Sequence, residues 1–103
     1  MQSDRSSRSF AFVIPVYNHA SNVGQVVKDA LTLGFPVFAV DDGSTDTTFE
    51  ILKNIAGITV LRHDKNLGKG AALLSGFHTA GRVADFAVTI DADGQHNPSD
   101  AIL

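Results

Sequence analysis

The chain has 103 residues, 44% of them apolar, no cysteine, and a formal net charge of −3. That length allows one domain or less. Without cysteine there is no disulfide or thiolate chemistry, and without a basic stripe the composition argues against a nucleic-acid surface.

Residues 1–9 are polar and read as a disordered lead; they lack the apolar core of a signal peptide. Phe10 to Val16 is an apolar run rich in Phe, Val and Ile and predicts the first strand. Asn22 with Gln25 reads as a capping box, and Val23, Val26, Val27, Ala30 and Leu31 then follow helical spacing. Gly34 fits the helix stop and Pro36 prevents continuation. Val37 to Val40 predicts a second strand. Thr47 with Glu50 reads as another capping box, with Phe49, Leu52, Ile55 and Ala56 on the apolar face and Gly57 as the stop. Ile58 to Leu61 predicts a third strand, Gly68 to Ala80 a third helix with Leu73, Leu74 and Phe77 inward, and Phe86 to Ile90 a fourth strand. Asn97-Pro98 has the form of an N-cap followed by proline at the first helical position. A helix that begins there leads to the expectation that residues 10–103 are the N-terminal portion of a longer domain.

The order βαβαβαβ, with near-continuous apolar strands and amphipathic helices, predicts an α/β domain with a parallel sheet covered on both faces. No apolar stretch approaches the ~18–20 residues that cross a bilayer, and spans after residue 103 stay open.

In open parallel sheets, ligands bind outside the carboxyl ends of the strands. Each predicted strand here ends in polar, loop-forming residues. They are Pro15-Val16-Tyr17-Asn18-His19, Asp41-Asp42-Gly43-Ser44, Asp64-Lys65-Asn66-Leu67-Gly68-Lys69-Gly70 and Asp91-Ala92-Asp93-Gly94-Gln95-His96. The parallel order puts all four clusters on one edge. Tyr17 offers a ring for stacking and a hydroxyl. Asp41 and Asp42 can accept from a base N–H or a ribose hydroxyl, or one of them closes a local turn. Gly68-Lys69-Gly70 opens a helix where free N–H groups and an ammonium can meet an anion. Asp91 and Asp93 are paired hard oxygen donors suited to Mg²⁺ or Mn²⁺; the alternative is two solvated loop aspartates. His78 reads as structural, and His63 and His96 have no clear metal-ligand spacing.

Val13-Ile14-Pro15-Val16-Tyr17-Asn18, Val40-Asp41-Asp42-Gly43-Ser44-Thr45-Asp46, Asn66-Leu67-Gly68-Lys69-Gly70-Ala71-Ala72-Leu73 and Asp91-Ala92-Asp93-Gly94-Gln95-His96, in that order, resemble family 2 glycosyltransferases. The last two motifs look most like the branch of dolichyl- and polyprenyl-phosphate sugar synthases. The resemblance implies a GT-A, Rossmann-like three-layer α/β/α sandwich with a mostly parallel sheet, here truncated on its C-terminal side. It implies a nucleotide-diphosphate sugar donor, UDP- or GDP-linked, and inverting transfer to an acceptor such as a polyprenyl phosphate. Pro15, Tyr17 and Asn18 would line the nucleoside pocket. Asp41 or Asp42 would hold the base with Lys69 nearby. Asp91 would face the ribose or the metal, and Asp93 would coordinate Mg²⁺ or Mn²⁺, so both are metal-ligand candidates. Ala92 and Gln95 would contact the sugar and diphosphate. No catalytic base is identified; the family supplies it from a later carboxylate, expected after Leu103. His19 stands where the family often has glutamate, which leaves no carboxylate contact there. The resemblance also implies a location in the cytoplasm or on the cytoplasmic face of a membrane.

Two other readings compete. One is a nucleotide-binding module or inactive fragment without turnover, whose uncovered apolar surface favours association into a homo-oligomer. The other is metal-dependent phosphotransfer, against which the Asp-x-Asp is late in the chain and followed at its fifth position by Gln95.

Overall fold

A computed structural model describes residues 9–92. It contains β1 (Phe10–Val16), α1 (Val23–Leu31), β2 (Val37–Asp41), α2 (Thr48–Lys53), β3 (Thr59–Arg62), α3 (Lys69–Ala80) and β4 (Phe86–Thr89). The predicted element order is therefore observed. All strand pairings are parallel, and the sheet order is β3-β2-β1-β4. The chain steps outward from β1 to β2 to β3, then returns across the sheet to place β4 on the other side of β1. Strand order thus reverses at β1, the kind of point where an open α/β sheet leaves a crevice at its carboxyl edge.

Side-chain alternation divides the core into two layers. Phe12, Ile14, Val16, Val37 and Ala39 pack with Val23, Val26, Val27, Ala30 and Leu52 of α1 and α2. Ala11, Val13 and Phe38 face the other way and pack with Ala80 of α3. The central strands β1 and β2 are buried on both faces, whereas β3 and β4 are partly exposed.

Three local expectations are corrected. Leu74 and Phe77 do not point inward; they are 70% and 39% exposed. The face α3 buries is Ala72, Gly76 and Ala80. These small residues let the helix lie directly on the sheet: a methyl added at Gly76 would collide with Val13 and come within 3.2 Å of Val40 Cγ2. Bulky side chains on that face would hold the helix off, so they turn outward.

The two capping boxes do not form. Asn22 and Thr47 make no side-chain capping hydrogen bond, and Gln25 donates to Asp29 instead, at 2.7 Å. At α2 the carboxylate of Asp46 takes the capping role, accepting from Thr48 N at 2.9 Å and from the Thr48 hydroxyl. Finally, α2 ends at Lys53 rather than at Gly57, because Asn54 and Ile55 tighten into i→i+3 hydrogen bonds before the left-handed glycine. No helix among the described residues is long and apolar enough to cross a membrane.

Candidate nucleotide pocket at the strand tips

Beyond the carboxyl ends of the strands lies a cavity of about 340 Å³ lined by residues from all four strand tips. From β1 come Pro15, Val16, Tyr17 and His19. Asp42 follows β2, while Asn66, Gly68, Lys69 and Ala72 come from the β3–α3 segment and Asp91 and Ala92 from beyond β4. Tyr17 lines the cavity and is 43% exposed.

Asp42 organises one wall. It is buried, and its carboxylate has four donors around it. Asp42 Oδ1 receives His63 Nδ1 at 2.7 Å and Leu67 N at 3.0 Å. Asp42 Oδ2 receives Gly68 N at 2.8 Å and Asn66 Nδ2 at 3.1 Å. Burial pushes the carboxyl pKa up, but the His63 hydrogen bond and the Leu67 and Gly68 amides outweigh it and hold the value below the usual 3.8.

Asp41 is just as buried but has different partners. Its Oδ1 accepts from Ser44 N at 3.2 Å, closing the turn after β2. Its Oδ2 accepts no hydrogen bond and has Arg62 Nε at 3.6 Å, whose guanidinium lies 4.1 Å over the Phe49 ring. Asp41 is not part of the pocket wall.

Asn18 is likewise outside that wall. It sits at φ 53°, in the left-handed region that asparagine tolerates. Its Oδ1 accepts from Thr45 N at 2.8 Å and Asp46 N at 3.3 Å, and its backbone N–H donates to Ser44 Oγ at 2.9 Å. It therefore pins the loop after β1 to the loop after β2.

Lys69, the first residue of α3, also lines the cavity and places Nζ 2.8 Å from Asp91 Oδ1. Both groups are substantially exposed, with 63% and 40% of their side chains accessible. An ammonium and a carboxylate thus stand paired on the cavity lining.

Of the predicted site residues, Pro15, Tyr17, Asp42, Lys69, Asp91 and Ala92 converge on one cavity. Asp41 and Asn18 support the loops beside it. Asp93 and Gln95 lie outside the described residues. Among the described residues no cluster of three or more metal-ligating side chains occurs. Asn66 belongs to the cluster that the sequence places at the tip of β3, and it lines the cavity; His63 carries no signal in the sequence beyond being a polar residue directly after that strand.

The family description "Glycosyl transferase family 2" matches residues 11–102. The chain belongs to that family. It is 33% identical over 106 residues to the UDP-N-acetylglucosamine–dolichyl-phosphate N-acetylglucosaminyltransferase of Methanococcus voltae, covering 85% of this chain and 42% of that protein. It is 30% identical over 112 residues to the undecaprenyl-phosphate 4-deoxy-4-formamido-L-arabinose transferase of Edwardsiella ictaluri, covering 97% of this chain and 34% of the other. Among solved structures, glucosyl-3-phosphoglycerate synthase from Mycobacterium tuberculosis in complex with phosphoglyceric acid superposes with a TM-score of 0.71 at 25% identity, over 90% of this chain and 37% of that one. The same enzyme with Mn²⁺, UDP and glucosyl-3-phosphoglycerate gives a TM-score of 0.70 at 24% identity, over 85% and 34%. The α/β fold of this family-2 chain is thus the GT-A fold expected from its motifs. The chain spans less than half the length of these relatives.

Proposed function

We propose that this chain forms the donor-binding half of an inverting glycosyltransferase that uses a nucleotide-diphosphate sugar and passes the sugar to a polyprenyl phosphate. The observation that carries the reading is the single cavity at four parallel strand tips, with an aromatic ring, a carboxylate anchored by backbone amides, and an exposed Lys69–Asp91 pair on its walls. The names of the Methanococcus and Edwardsiella relatives support a lipid-phosphate acceptor.

In this reading the nucleoside lies between Tyr17 and Pro15, with Asp42 beside the base. Asp42, not Asp41, is the base-side aspartate, because only Asp42 reaches the cavity wall. Lys69 meets the diphosphate. Asp91 has the hard, half-exposed oxygen that a divalent cation takes, and Asp93 two residues on would be its partner ligand. Mg²⁺ or Mn²⁺ held there would stabilise charge on the leaving diphosphate without proton transfer. A phosphate acceptor is already anionic, so its attack on the anomeric carbon needs little help from a general base. The remaining wall residues hold the donor and limit water around the reacting carbon.

Titration calorimetry of the chain with UDP and with GDP, each with and without Mn²⁺, tests the reading. Metal-dependent binding that is lost in Asp93→Ala is the expected result. Binding of neither nucleotide would overturn it.

A further inference from the structure

His63 is absent from the cavity wall, yet it ties together two of the segments that build it, the loop after β2 and helix α3. Its backbone N–H donates to Asp41 O at 2.9 Å, extending the β2–β3 ladder by one step. The ring is thereby fixed between the loop after β2 and helix α3. On one side Nδ1 lies 2.7 Å from Asp42 Oδ1; on the other Nε2 lies 2.8 Å from Ser75 Oγ. An ionised carboxylate only accepts, so the proton is assigned to Nδ1. In the neutral ring Nε2 then accepts from the Ser75 hydroxyl. Only 13% of the His63 side chain is accessible.

What lies beyond Asp42 gives this arrangement its consequence. The same carboxylate collects Leu67 N, Gly68 N and Asn66 Nδ2. Gly68 stands at φ 105°, directly before Lys69. Gly43 is pressed so closely on the backbone of Lys65 and Asn66 that an added methyl would collide with both. The loops after β2 and β3 are therefore one packed unit, and the Asp42 carboxylate sets its register. A carboxylate that can rotate would present different oxygens to Leu67 and Gly68, and Lys69 would move relative to Asp91.

We infer that His63 is a positioning residue of the nucleotide pocket: it locks the Asp42 carboxylate against α3, and through it aligns the Asn66–Lys69 segment for the donor. The inference rests on the donor-pocket reading above. His63 touches no ligand in this arrangement; its effect passes through Asp42.

The test uses His63→Asn, His63→Gln and His63→Ala in the full chain, with UDP and GDP each titrated in the presence of Mn²⁺. The Asn amide nitrogen stands near the place of Nδ1 and keeps a donor for Asp42; the Gln amide reaches toward Ser75 and leaves Asp42 one donor short. Expected affinities are within about threefold of wild type for Asn, and weaker by tenfold or more for Gln and Ala, the scale of one lost hydrogen bond to a buried charge. A merely structural histidine would lower the melting temperature of Asn and Gln alike and leave the affinity of the folded protein unchanged. Equal affinities for Asn and Gln, or wild-type affinity in Ala, overturn the inference while wild-type binding keeps the pocket reading intact. Should Ala not fold, the Asn–Gln comparison decides. Failure of the wild type to bind either nucleotide removes both.

Discussion

Asp41 and Asp42 are consecutive, both buried, and committed to different tasks. Asp41 Oδ1 closes the turn onto Ser44 N, whereas Asp42 reaches across to His63, Leu67 and Gly68. The reason is the pleat. Asp41 is the last paired residue of β2, opposite Val16 and Arg62, and shares the α2-facing side with Val37 and Ala39. The next residue turns to the other side, toward α3 and the cavity.

This division predicts opposite outcomes for isosteric changes. In Asp42→Asn the new amide N–H₂ must face N–H donors, leaving buried polar groups unsatisfied. Destabilisation of about 1–3 kcal/mol is expected, together with at least tenfold weaker nucleotide binding. Asp41→Asn should leave nucleotide affinity within about threefold, since the Asn Oδ1 can still accept from Ser44 N and the side chain does not line the cavity. Urea denaturation and calorimetry on both variants check the contrast.

Gly76→Ala should cost about 1–3 kcal/mol, the usual penalty for overpacking a closed interface. The added methyl runs into Val13 and meets Val40 across the α3–sheet contact. At Gly70, six residues earlier on the same helix, nothing lies within 4 Å of an added methyl. Gly70→Ala should therefore fold with unimpaired stability. Equal destabilisation in the two variants would contradict the close approach.

These two glycines also show what was legible in the sequence. Apolar runs such as Phe10 to Val16 can bury both faces in only a few ways, and they revealed β1, β2 and the parallel sheet. Gly34 and Gly57 do adopt positive φ, although α2 ends at Lys53, before Gly57. On α3 hydrophobicity alone puts the bulky Leu74 and Phe77 inward, yet both are exposed. Here distance of approach decided, and Ala72, Gly76 and Ala80 won. The pocket followed from topology: parallel strands put their carboxyl ends on one edge. That one of the paired aspartates closes a local turn was legible, and Asp41 does so onto Ser44, three residues on; which of the two does it, and the part of His63, depended on contacts 12–26 residues apart in sequence, which no local pattern encodes.

The stability of the chain should fall on acidification through a window set by Asp42 and Asp46. Asp46 is held below the usual carboxylate value by the Thr48 hydroxyl; burial, the next largest effect, opposes this, and backbone amides including those of Thr48 and Ala20 add to the lowering. Both carboxylates bind protons more weakly in the folded state than in the unfolded one. Their stabilisation is complete well above 3.8 and disappears as the pH falls through their lower folded-state values. Asp46→Asn should flatten this dependence and weaken the start of α2. Urea midpoints between pH 7 and 3 measure it; an unchanged slope would show that Asp46 does not contribute.

Lys69 separates binding from stability. Its ion pair with Asp91 is exposed at both ends, so Lys69→Met should change folding stability by no more than about 1 kcal/mol. The same ammonium, on the reading proposed above, faces the diphosphate of the donor. Charge-assisted contacts of that type are worth about 1.5–3 kcal/mol, so nucleotide affinity should drop roughly tenfold or more. The interaction is screened by salt, because the cavity mouth is open to solvent. Affinity measured from low to moderate ionic strength should fall more steeply for the wild type than for Lys69→Met. Parallel salt dependences, with equal affinities, would mean that the ammonium serves Asp91 alone and that the diphosphate lies elsewhere.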